Sequence, residues 1–183
     1  CFGVLSTDVW GEFIATLSAD QRVEAQELNR AHDRGMISLS DFVAAVTTLT
    51  GHPPQVIENQ RTGAVKLNEK LLDYIVELHK TYKTAVLSNV GSNWIRETFL
   101  NPTQQRHFDD FVLSYDVGLA KPDPAIFQLA ASRLGVQPAE CIFVDDAAHN
   151  CRAAEGEGMK AILYTNFTQF KTEVERLLTD TNN

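Results

Sequence analysis

The sequence predicts an α/β protein in which a parallel sheet carries helices on both faces, together with a small all-helical insertion. Four short apolar runs lie at residues 84–88, 111–114, 142–145 and 161–164. Each is rich in β-branched, aromatic or other apolar residues, and a segment with helical periodicity follows it. Strands that alternate with helices of this length favour right-handed βαβ units, and therefore a parallel sheet.

The helices between these runs have their own sequence signals. One helix is expected at 92–100, before Pro102, and the next begins at Pro124 with Asp123 as its N-cap. A third includes residues 151–157 and ends at Gly158, and an amphipathic helix at 167–178 closes the chain. This alternation predicts a Rossmann-like sheet, in which ligands bind beyond the carboxyl ends of the strands.

The first third of the chain has a different pattern. Residues 10–66 have helical periodicity without a convincing strand, and turns at Gly35 and Gly51 divide them into short helices. A strand-like start precedes this block, and a helix at 67–80 returns to the sheet. We therefore predict a helical cap, residues 10–66, inserted into a core made of residues 1–9 and 67–183.

Composition limits the classes of partner. The 183 residues are 44% hydrophobic and 22% charged, with a formal net charge of −8. This acidity argues against nucleic acid and anionic membrane surfaces as partners, and no apolar run approaches the length of a membrane span. The three cysteines, Cys1, Cys141 and Cys151, lack zinc-ligand spacing, and a cytoplasmic location fits them best.

Polar side chains stand where the predicted strands end. Ser88-Asn89 and Asp145-Asp146 each follow directly on an apolar run, and Lys121 lies in the turn after another. Two adjacent carboxylates repel each other unless a cation or hydrogen-bond donors hold them, and hard oxygen ligands favour Mg²⁺. A hydroxyl, a lysine and Mg²⁺ together suit a phosphoryl group. The alternative is that Asp146 merely N-caps the following helix.

Three separated motifs resemble those of the haloacid dehalogenase-like (HAD) hydrolases. The segments VLSN at 86–89, DVGLAKPDPAIF at 116–127 and FVDDAAHN at 143–150 look like the second, third and fourth motifs of that family, in the right order. The resemblance implies that Ser88 and the Asn89 amide bind the transferred group and that Lys121 steadies the nucleophile and the phosphate. It also implies that Asp146 ligates Mg²⁺ with help from Asp145. Asn150 is expected to order the fourth-motif loop, and residues 10–66 would be the mobile cap.

The opening segment CFGVL departs from the family's first motif. The resemblance places the nucleophilic Asp immediately before Cys1, at the end of a central apolar strand that the 183 residues do not include. Phe2 takes the place of the usual acid/base Asp and cannot transfer a proton, although its backbone carbonyl could still ligate Mg²⁺. Leaving-group protonation would then need water, a cap residue or a good leaving group.

Three functions are consistent with these residues. The leading one is a Mg²⁺-dependent phosphatase that acts on a small phosphorylated metabolite through an aspartyl-phosphate. The second is a dehalogenase-type hydrolase acting through an aspartyl ester, for which Phe2 would be harmless but the carboxylate pair idle. The third is a non-catalytic binding protein that kept the fold. His149 is expected to be exposed and to have no part in catalysis.

Overall fold

A computed structural model describes residues 1–60 and 65–180 of the chain. Within this part, the first helices are α1 (Val9–Ala15), α2 (Ala19–Asp33), α3 (Leu39–Thr50) and α4 (Pro54–Glu58). Ser18 and Ser38 cap α2 and α3 by accepting backbone N–H groups of the first turn, as short hydroxyl side chains do at helix starts. Residues 61–64 of the expected cap lie outside the described residues.

These four helices have a hydrophobic core of their own. Its buried members form a cluster distinct from the two clusters that surround the strands; they are Phe13, Ile14, Ala25, Phe42, Val43, Val46 and Ile57. A segment that buries its own apolar side chains can keep its shape while it moves relative to its neighbours. These helices therefore share one hydrophobic core, and the cap at residues 10–66 stays a prediction.

The remaining elements alternate between helices and strands. In chain order they are α5 (Glu69–His79), β1 (Ala85–Ser88), α6 (Pro102–Gln105), β2 (Asp110–Leu113), α7 (Ser114–Val117), α8 (Pro124–Leu134), β3 (Ile142–Asp145), α9 (Ala148–Gly156), β4 (Lys160–Leu163) and α10 (Phe167–Asp180). Each strand lies within one residue of its predicted position. The α/β prediction is therefore confirmed, as is the start of α8 at Pro124 with Asp123 as its N-cap.

The helix predicted at 92–100 is shorter and irregular. It is a single π-helical turn, Ile95–Phe99, and the chain is extended again at Leu100. Asn101 explains the early end, because its side chain caps α6 by accepting the backbone N–H groups of Thr103 and Gln104. A residue at an N-cap is not helical, so the preceding helix must stop before it.

The strands pair in two parallel couples. β1 lies beside β2, with Ser88 opposite Leu113, and β3 lies beside β4, with Asp145 opposite Leu163. Within the described residues β1 and β3 do not pair with each other. The central strand that the sequence places between them, before Cys1, stays a prediction. A mainly apolar cavity of about 510 Å³ is lined by residues of both β1 and β3.

The opening residues are a turn rather than the strand expected from their apolar character. The carbonyl oxygen of Cys1 accepts the backbone N–H groups of Val4, Leu5 and Ser6 at 3.2, 2.8 and 3.0 Å. Gly3 has a φ of +76°, which a residue with a Cβ adopts only with strain, and this permits the tight reversal. The local hydrogen bonds therefore outweigh the β propensity of the segment.

Gly91 marks the place where the cap helices meet the loop after β1. A Cβ atom at this position would lie 2.2 Å from Nε2 of His32 on α2, which is closer than packed atoms allow. We expect Gly91→Ala to lower the free energy of unfolding by about 1–3 kcal/mol in urea denaturation. Gly156→Ala is the control, because a Cβ there meets no atom within 4 Å among the described residues. It should stabilise α9 by roughly 0.5–1 kcal/mol, and equal effects of the two changes would contradict the contact.

Candidate functional site

A cavity of about 270 Å³ opens where the carboxyl ends of the strands face the helices α1 and α2. Every site residue predicted from the sequence borders it. The lining consists of Cys1, Phe2, Asp8, Trp10, Asn29, Asp33, Ser88, Asn89, Lys121, Asp145, Asp146, Ala147 and Asn150. Parallel strands place their carboxyl ends at one edge, which is why residues distant in sequence meet here.

Lys121 and Asp145 form a buried ion pair in this cavity. The ammonium nitrogen Nζ of Lys121 lies 2.5 Å from Oδ2 of Asp145, and both side chains are almost inaccessible to solvent. The other oxygen, Oδ1, accepts the backbone N–H of Ala147 and the side-chain amide of Asn150, both at 2.9 Å. Asn150 thus contacts the end of β3 through the Asp145 carboxylate, whereas the sequence suggested hydrogen bonds to the backbone of this loop.

The pair holds the pKa of Asp145 below its ordinary value. Burial by itself would raise this pKa, but the charges of Lys121 and of the Cys1 amino group, together with the hydrogen bonds from Lys121 and Asn150, outweigh it. Asp145 is therefore a fixed anion at neutral pH, and each of its oxygens accepts at least one hydrogen bond from the protein. Its place beside Lys121 suits it to position that lysine.

The lowered pKa predicts a specific sensitivity to acid. An unfolded Asp has a pKa of about 3.9, so the stability contributed by Asp145 is present above that pH and is lost as the pH falls toward the folded-state value. In urea unfolding between about pH 5 and pH 3, we expect a steeper loss for the wild type than for Asp145→Asn. The variant should be about 3–5 kcal/mol less stable at neutral pH, because it leaves Lys121 unpaired. Parallel pH profiles would contradict the prediction.

Asn89 ties the loop after β1 to the loop that carries Lys121. Its side-chain amide donates to the Lys121 carbonyl oxygen, and its side-chain oxygen accepts the Lys121 backbone N–H, both at 2.9 Å. Ser88, at the end of β1, is almost fully buried apart from the cavity it borders. The reciprocal bonds fix the main chain of Lys121 relative to the loop that follows Ser88.

Ser114 is a supporting residue that sequence reasoning missed. Its hydroxyl oxygen accepts the backbone N–H of Val90 at 2.9 Å and donates to the carbonyl oxygen of Asp33 in a short bond. The side chain is fully buried and joins the start of α7, the loop after β1 and the end of α2. A serine in an apolar run gave no signal for this, because its partners are distant in sequence.

Asp146 is exposed toward the cavity and lies against the opening turn. A Cβ atom on Gly3 would fall 2.1 Å from its Oδ2, so the carboxylate occupies the space that the glycine leaves. Partial desolvation and the charge of Asp145 raise the pKa of Asp146. The alternative that Asp146 only caps α9 is wrong, since the N-cap is Ala147 and no side chain caps that helix.

Phe2 borders the same cavity, and its ring stacks on Trp94 at a centroid distance of 5.7 Å. Trp94 in turn stacks on Phe99 at 5.0 Å. This aromatic row fixes the opening turn against the π-helical turn. His149, by contrast, is exposed on α9 and is not among the residues that line the cavity.

The cap side of the cavity consists of residues that the sequence did not single out. Asp8, Trp10, Asn29 and Asp33 come from α1, its N-cap and α2. Helical periodicity identified the apolar faces of these helices, but no spacing rule marks which polar residues turn toward the core. Within residues 1–60 and 65–180, no three His, Cys, Asp or Glu side chains are grouped as a ready metal site, and no helix is long and apolar enough to cross a membrane.

The geometry has a counterpart in known proteins. A family model described as haloacid dehalogenase-like hydrolase matches residues 5–158. The chain belongs to this family. The match includes the ends of β1 and β3 and the Lys121 turn, so it contains all the core residues of the cavity except Cys1 and Phe2.

Two curated relatives differ in how much they share with the chain. Mouse acyl-CoA dehydrogenase family member 10 is 40% identical over 99 residues, which are 54% of this chain and 9% of that protein. The D-ribitol-5-phosphate phosphatase of Bacteroides thetaiotaomicron is 26% identical over 155 residues, which are 80% of this chain and 75% of that protein. The chain spans less than a quarter of the length of the first curated relatives it matches.

A solved structure with bound metal has the same fold. It is a HAD family enzyme from Bacteroides thetaiotaomicron in a magnesium complex, with a TM-score of 0.62 and 26% identity. The likeness covers 74% of this chain and 72% of that one. It supports the Rossmann-like α/β assignment and associates the fold with Mg²⁺ in a relative.

Proposed function

We propose that the chain is the phosphoryl-binding and catalytic part of a Mg²⁺-dependent phosphatase acting on small phosphorylated metabolites. The observation that carries this proposal is the buried Lys121–Asp145 pair beside Ser88 in a cavity that also receives Asp146. An acidic protein that handles phosphate must concentrate its positive charge locally, and Lys121 does so. The ribitol-phosphate phosphatase activity named for one relative is consistent with this chemistry.

The described residues divide the work of binding a phosphoryl group. The Ser88 hydroxyl and the Asn89 backbone amide would donate to its oxygens, and the Lys121 ammonium would balance their charge. Asp145 and the Asn89 side chain position Lys121 from two directions. Because these contacts are formed within the protein, they fix the donors before charge develops on the transferred group.

The donor set fits a magnesium ion. Asp146 offers a hard carboxylate oxygen that is exposed to the cavity. Burial and the charge of Asp145 raise the pKa of Asp146, so a bound cation would stabilise the Asp146 carboxylate. The Phe2 backbone carbonyl, next to the glycine that Asp146 contacts, would be the second protein oxygen, with Asp145 assisting through water. When bound, Mg²⁺ would neutralise phosphoryl oxygens and orient the substrate.

The nucleophile is proposed to be an Asp immediately before Cys1. Cys1 lines the cavity beside Asp146, so a carboxylate at the preceding position would reach the same space. Attack on the phosphorus would break its bond to the substrate oxygen and give an aspartyl-phosphate that water then hydrolyses. The departing alcohol would take its proton from water or a cap residue, or would leave as a stable anion. Residues 10–66 would be the cap that closes over this reaction, within a core of residues 1–9 and 67–183.

A dehalogenase-type hydrolase is the second candidate, and the Phe2–Trp94 stack favours it to a limited degree. Halide departs without a proton, so an aromatic side chain in place of an acid would have no cost. The electropositive Lys121 and the carboxylate Asp146 argue for phosphate, because a halide displacement needs no metal ligand.

One assay separates these functions. The chain would be extended before Cys1 by an apolar strand that ends in Asp, and its hydrolysis of p-nitrophenyl phosphate and of a 2-haloacid would be followed with Mg²⁺ and again with excess EDTA. The phosphatase proposal predicts that p-nitrophenyl phosphate is hydrolysed with Mg²⁺ and that EDTA abolishes this hydrolysis. This ester suits the test because p-nitrophenolate departs without a proton, so the lack of an acid at Phe2 does not prevent its release. Haloacid turnover that survives EDTA would establish the second candidate, and binding of phosphate without turnover of either substrate would establish a non-catalytic protein.

A further inference from the structure

The core end of the cavity has no carboxyl group left to protonate a departing alcohol. Phe2 stands where the family's first motif has its acid, and a phenyl ring cannot donate a proton. Asp145 is the fixed anion that holds Lys121, and Asp146 is the proposed ligand of Mg²⁺. A carboxylic acid for this step must therefore come from the cap side of the cavity.

Asp8 is a carboxyl group on that side. It is partly exposed and borders the same cavity as Phe2 and Asp146. Burial raises the pKa of Asp146, and the charges of Asp145 and of Asp8 add to this effect. Such an influence requires the Asp8 carboxylate to lie within electrostatic reach of Asp146. Asp8 is therefore close to the proposed metal site without being part of it.

The direction of phosphoryl transfer favours a proton donor on the cap side. The proposed nucleophile precedes Cys1 and would attack from the core. The attacking and the leaving oxygens of a phosphoryl transfer are roughly in line, on opposite sides of the phosphorus. The leaving oxygen would therefore point away from the core and toward the side of the cavity that Asp8 and Trp10 line.

The start of α1 holds the Asp8 carboxylate in place. Its Oδ1 accepts the backbone N–H of Gly11 at 3.0 Å. A Cβ atom on Gly11 would fall 2.0 Å from Oδ2, so the carboxylate occupies the space that the glycine leaves. Among residues 1–60 and 65–180 no hydrogen bond engages this Oδ2, which can therefore carry a proton. The other carboxylate of the cap side, Asp33, is buried and accepts the Asn29 amide at 2.8 Å.

We infer that Asp8 is a catalytic residue, the general acid and base of this site, in the role that Phe2 cannot fill. This inference rests on the proposed function, which supplies the nucleophile and the metal. In the first step the bond between phosphorus and the ester oxygen breaks, and that oxygen takes the proton of the Asp8 carboxyl group and departs as an alcohol. In the second step water attacks the aspartyl-phosphate and gives a proton to the Asp8 carboxylate. Phosphate is released, and both the nucleophile and the Asp8 acid are restored.

Two esters of similar size distinguish a proton donor from a structural residue. Benzyl phosphate releases an alcohol that must be protonated, whereas p-nitrophenyl phosphate releases a stable anion. The protein for this test is the chain extended before Cys1 by an apolar strand that ends in Asp, in Mg²⁺. We expect Asp8→Asn to lower kcat/KM for benzyl phosphate by about 100-fold or more, but for p-nitrophenyl phosphate by no more than about threefold. Asn caps helices as well as Asp, so α1 should keep its start.

Gly11→Ala is a second variant, which keeps the Asp8 side chain and displaces it. Alanine favours the helix, and its methyl group would meet the end of a side chain that can turn aside. Because a small misplacement of a catalytic group is costly, the loss for benzyl phosphate should be about tenfold or more and again selective. Glu12→Gln is the control, since it removes an exposed carboxylate from the same turn of α1 and should leave both activities unchanged.

The outcomes separate this inference from the proposed function. Equal losses for the two esters in Asp8→Asn would make Asp8 a structural N-cap and overturn the inference. Undiminished hydrolysis of benzyl phosphate by this variant would overturn it as well, and so would a failure of the unsubstituted extended chain to hydrolyse that ester. These three results leave the phosphatase proposal intact, because p-nitrophenyl phosphate needs no acid. If the unsubstituted extended chain did not hydrolyse p-nitrophenyl phosphate, the proposed function would be wrong, and the inference with it.

Discussion

Asp146→Asn, in the chain extended before Cys1 by a strand that ends in Asp, is expected to reduce phosphomonoester hydrolysis by about 100-fold or more and to weaken Mg²⁺ binding by at least about tenfold. Even residues that only support a metal ligand commonly change affinity by about 10–100-fold, so loss of the ligand itself should cost no less. An amide oxygen is a poorer donor to a hard cation than a carboxylate. The raised pKa of Asp146 also shows that its carboxylate form is disfavoured in its protein environment, and a bound cation would stabilise that form. Calorimetric Mg²⁺ titration and a phosphate-release assay would measure the two effects.

His149→Ala is the matched control for this variant. His149 is three residues further along the chain, exposed on α9, and not part of the cavity lining. We expect both Mg²⁺ affinity and hydrolysis to remain within about twofold of the wild type, as is usual for surface substitutions. If His149→Ala were as damaging as Asp146→Asn, His149 would be the missing acid/base group. The effect of Asp146→Asn would then no longer be evidence that Asp146 ligates Mg²⁺.

The core part of the site could be predicted because strand position and polar residue type coincide in the sequence. Ser88, Asp145 and Asp146 come directly after apolar runs, and the ends of parallel strands share one edge. The Asn89–Lys121 bonds could not be read in the same way, since a loop conformation decides them. The sequence also gave no means of seeing that both oxygens of Asp145 are occupied by Lys121, Ala147 and Asn150.

The cap side was predictable as helices but not as a binding surface. Helical periodicity identifies the apolar stripe that packs inside the cap, whereas the orientation of α2 on the core decides that Asn29 and Asp33 face the cavity. That orientation depends on close packing of His32 on Gly91 and on the Ser114 hydrogen bond. Both are contacts between residues far apart in sequence, and periodicity carries no information about them.

The division of the sheet leads to the second large expected effect. β1 and β3 each pair on one side within the described residues, and their other edges border the apolar cavity of about 510 Å³. Its walls include Val86 of β1, Val144 of β3 and the helix residues Leu71 and Phe170. A sheet edge in such surroundings exposes backbone donors and acceptors that an added strand can pair. We propose that a strand preceding Cys1 fills this space and ends in the nucleophilic Asp.

Addition of this strand should stabilise the protein whichever residue it ends in, whereas activity should require that it ends in Asp. Two forms would be compared with residues 1–183, each extended before Cys1 by about five apolar β-branched residues, one ending in Asp and the other in Asn. Both extensions should raise the midpoint of thermal unfolding by roughly 10 °C, because several ladder hydrogen bonds and buried side chains are each worth on the order of 1 kcal/mol. A scrambled extension rich in Gly and Ser is the stability control.

The Asp and Asn forms differ only in the ability to attack phosphorus. An aspartate placed beside Lys121 and Asp146 can form and lose an acyl phosphate, whereas the isosteric amide cannot act as a nucleophile. We therefore expect hydrolysis of p-nitrophenyl phosphate in Mg²⁺ from the Asp form, with a rate at least about 100-fold above that of the Asn form. Equal thermal stability of extended and unextended chains would mean that the cavity between β1 and β3 does not accept a strand. If both extensions stabilise the protein and the two forms are equally active, the added strand pairs with β1 and β3 as proposed. The residue before Cys1 would then take no part in hydrolysis, and the nucleophile would be one of the residues that already line the cavity.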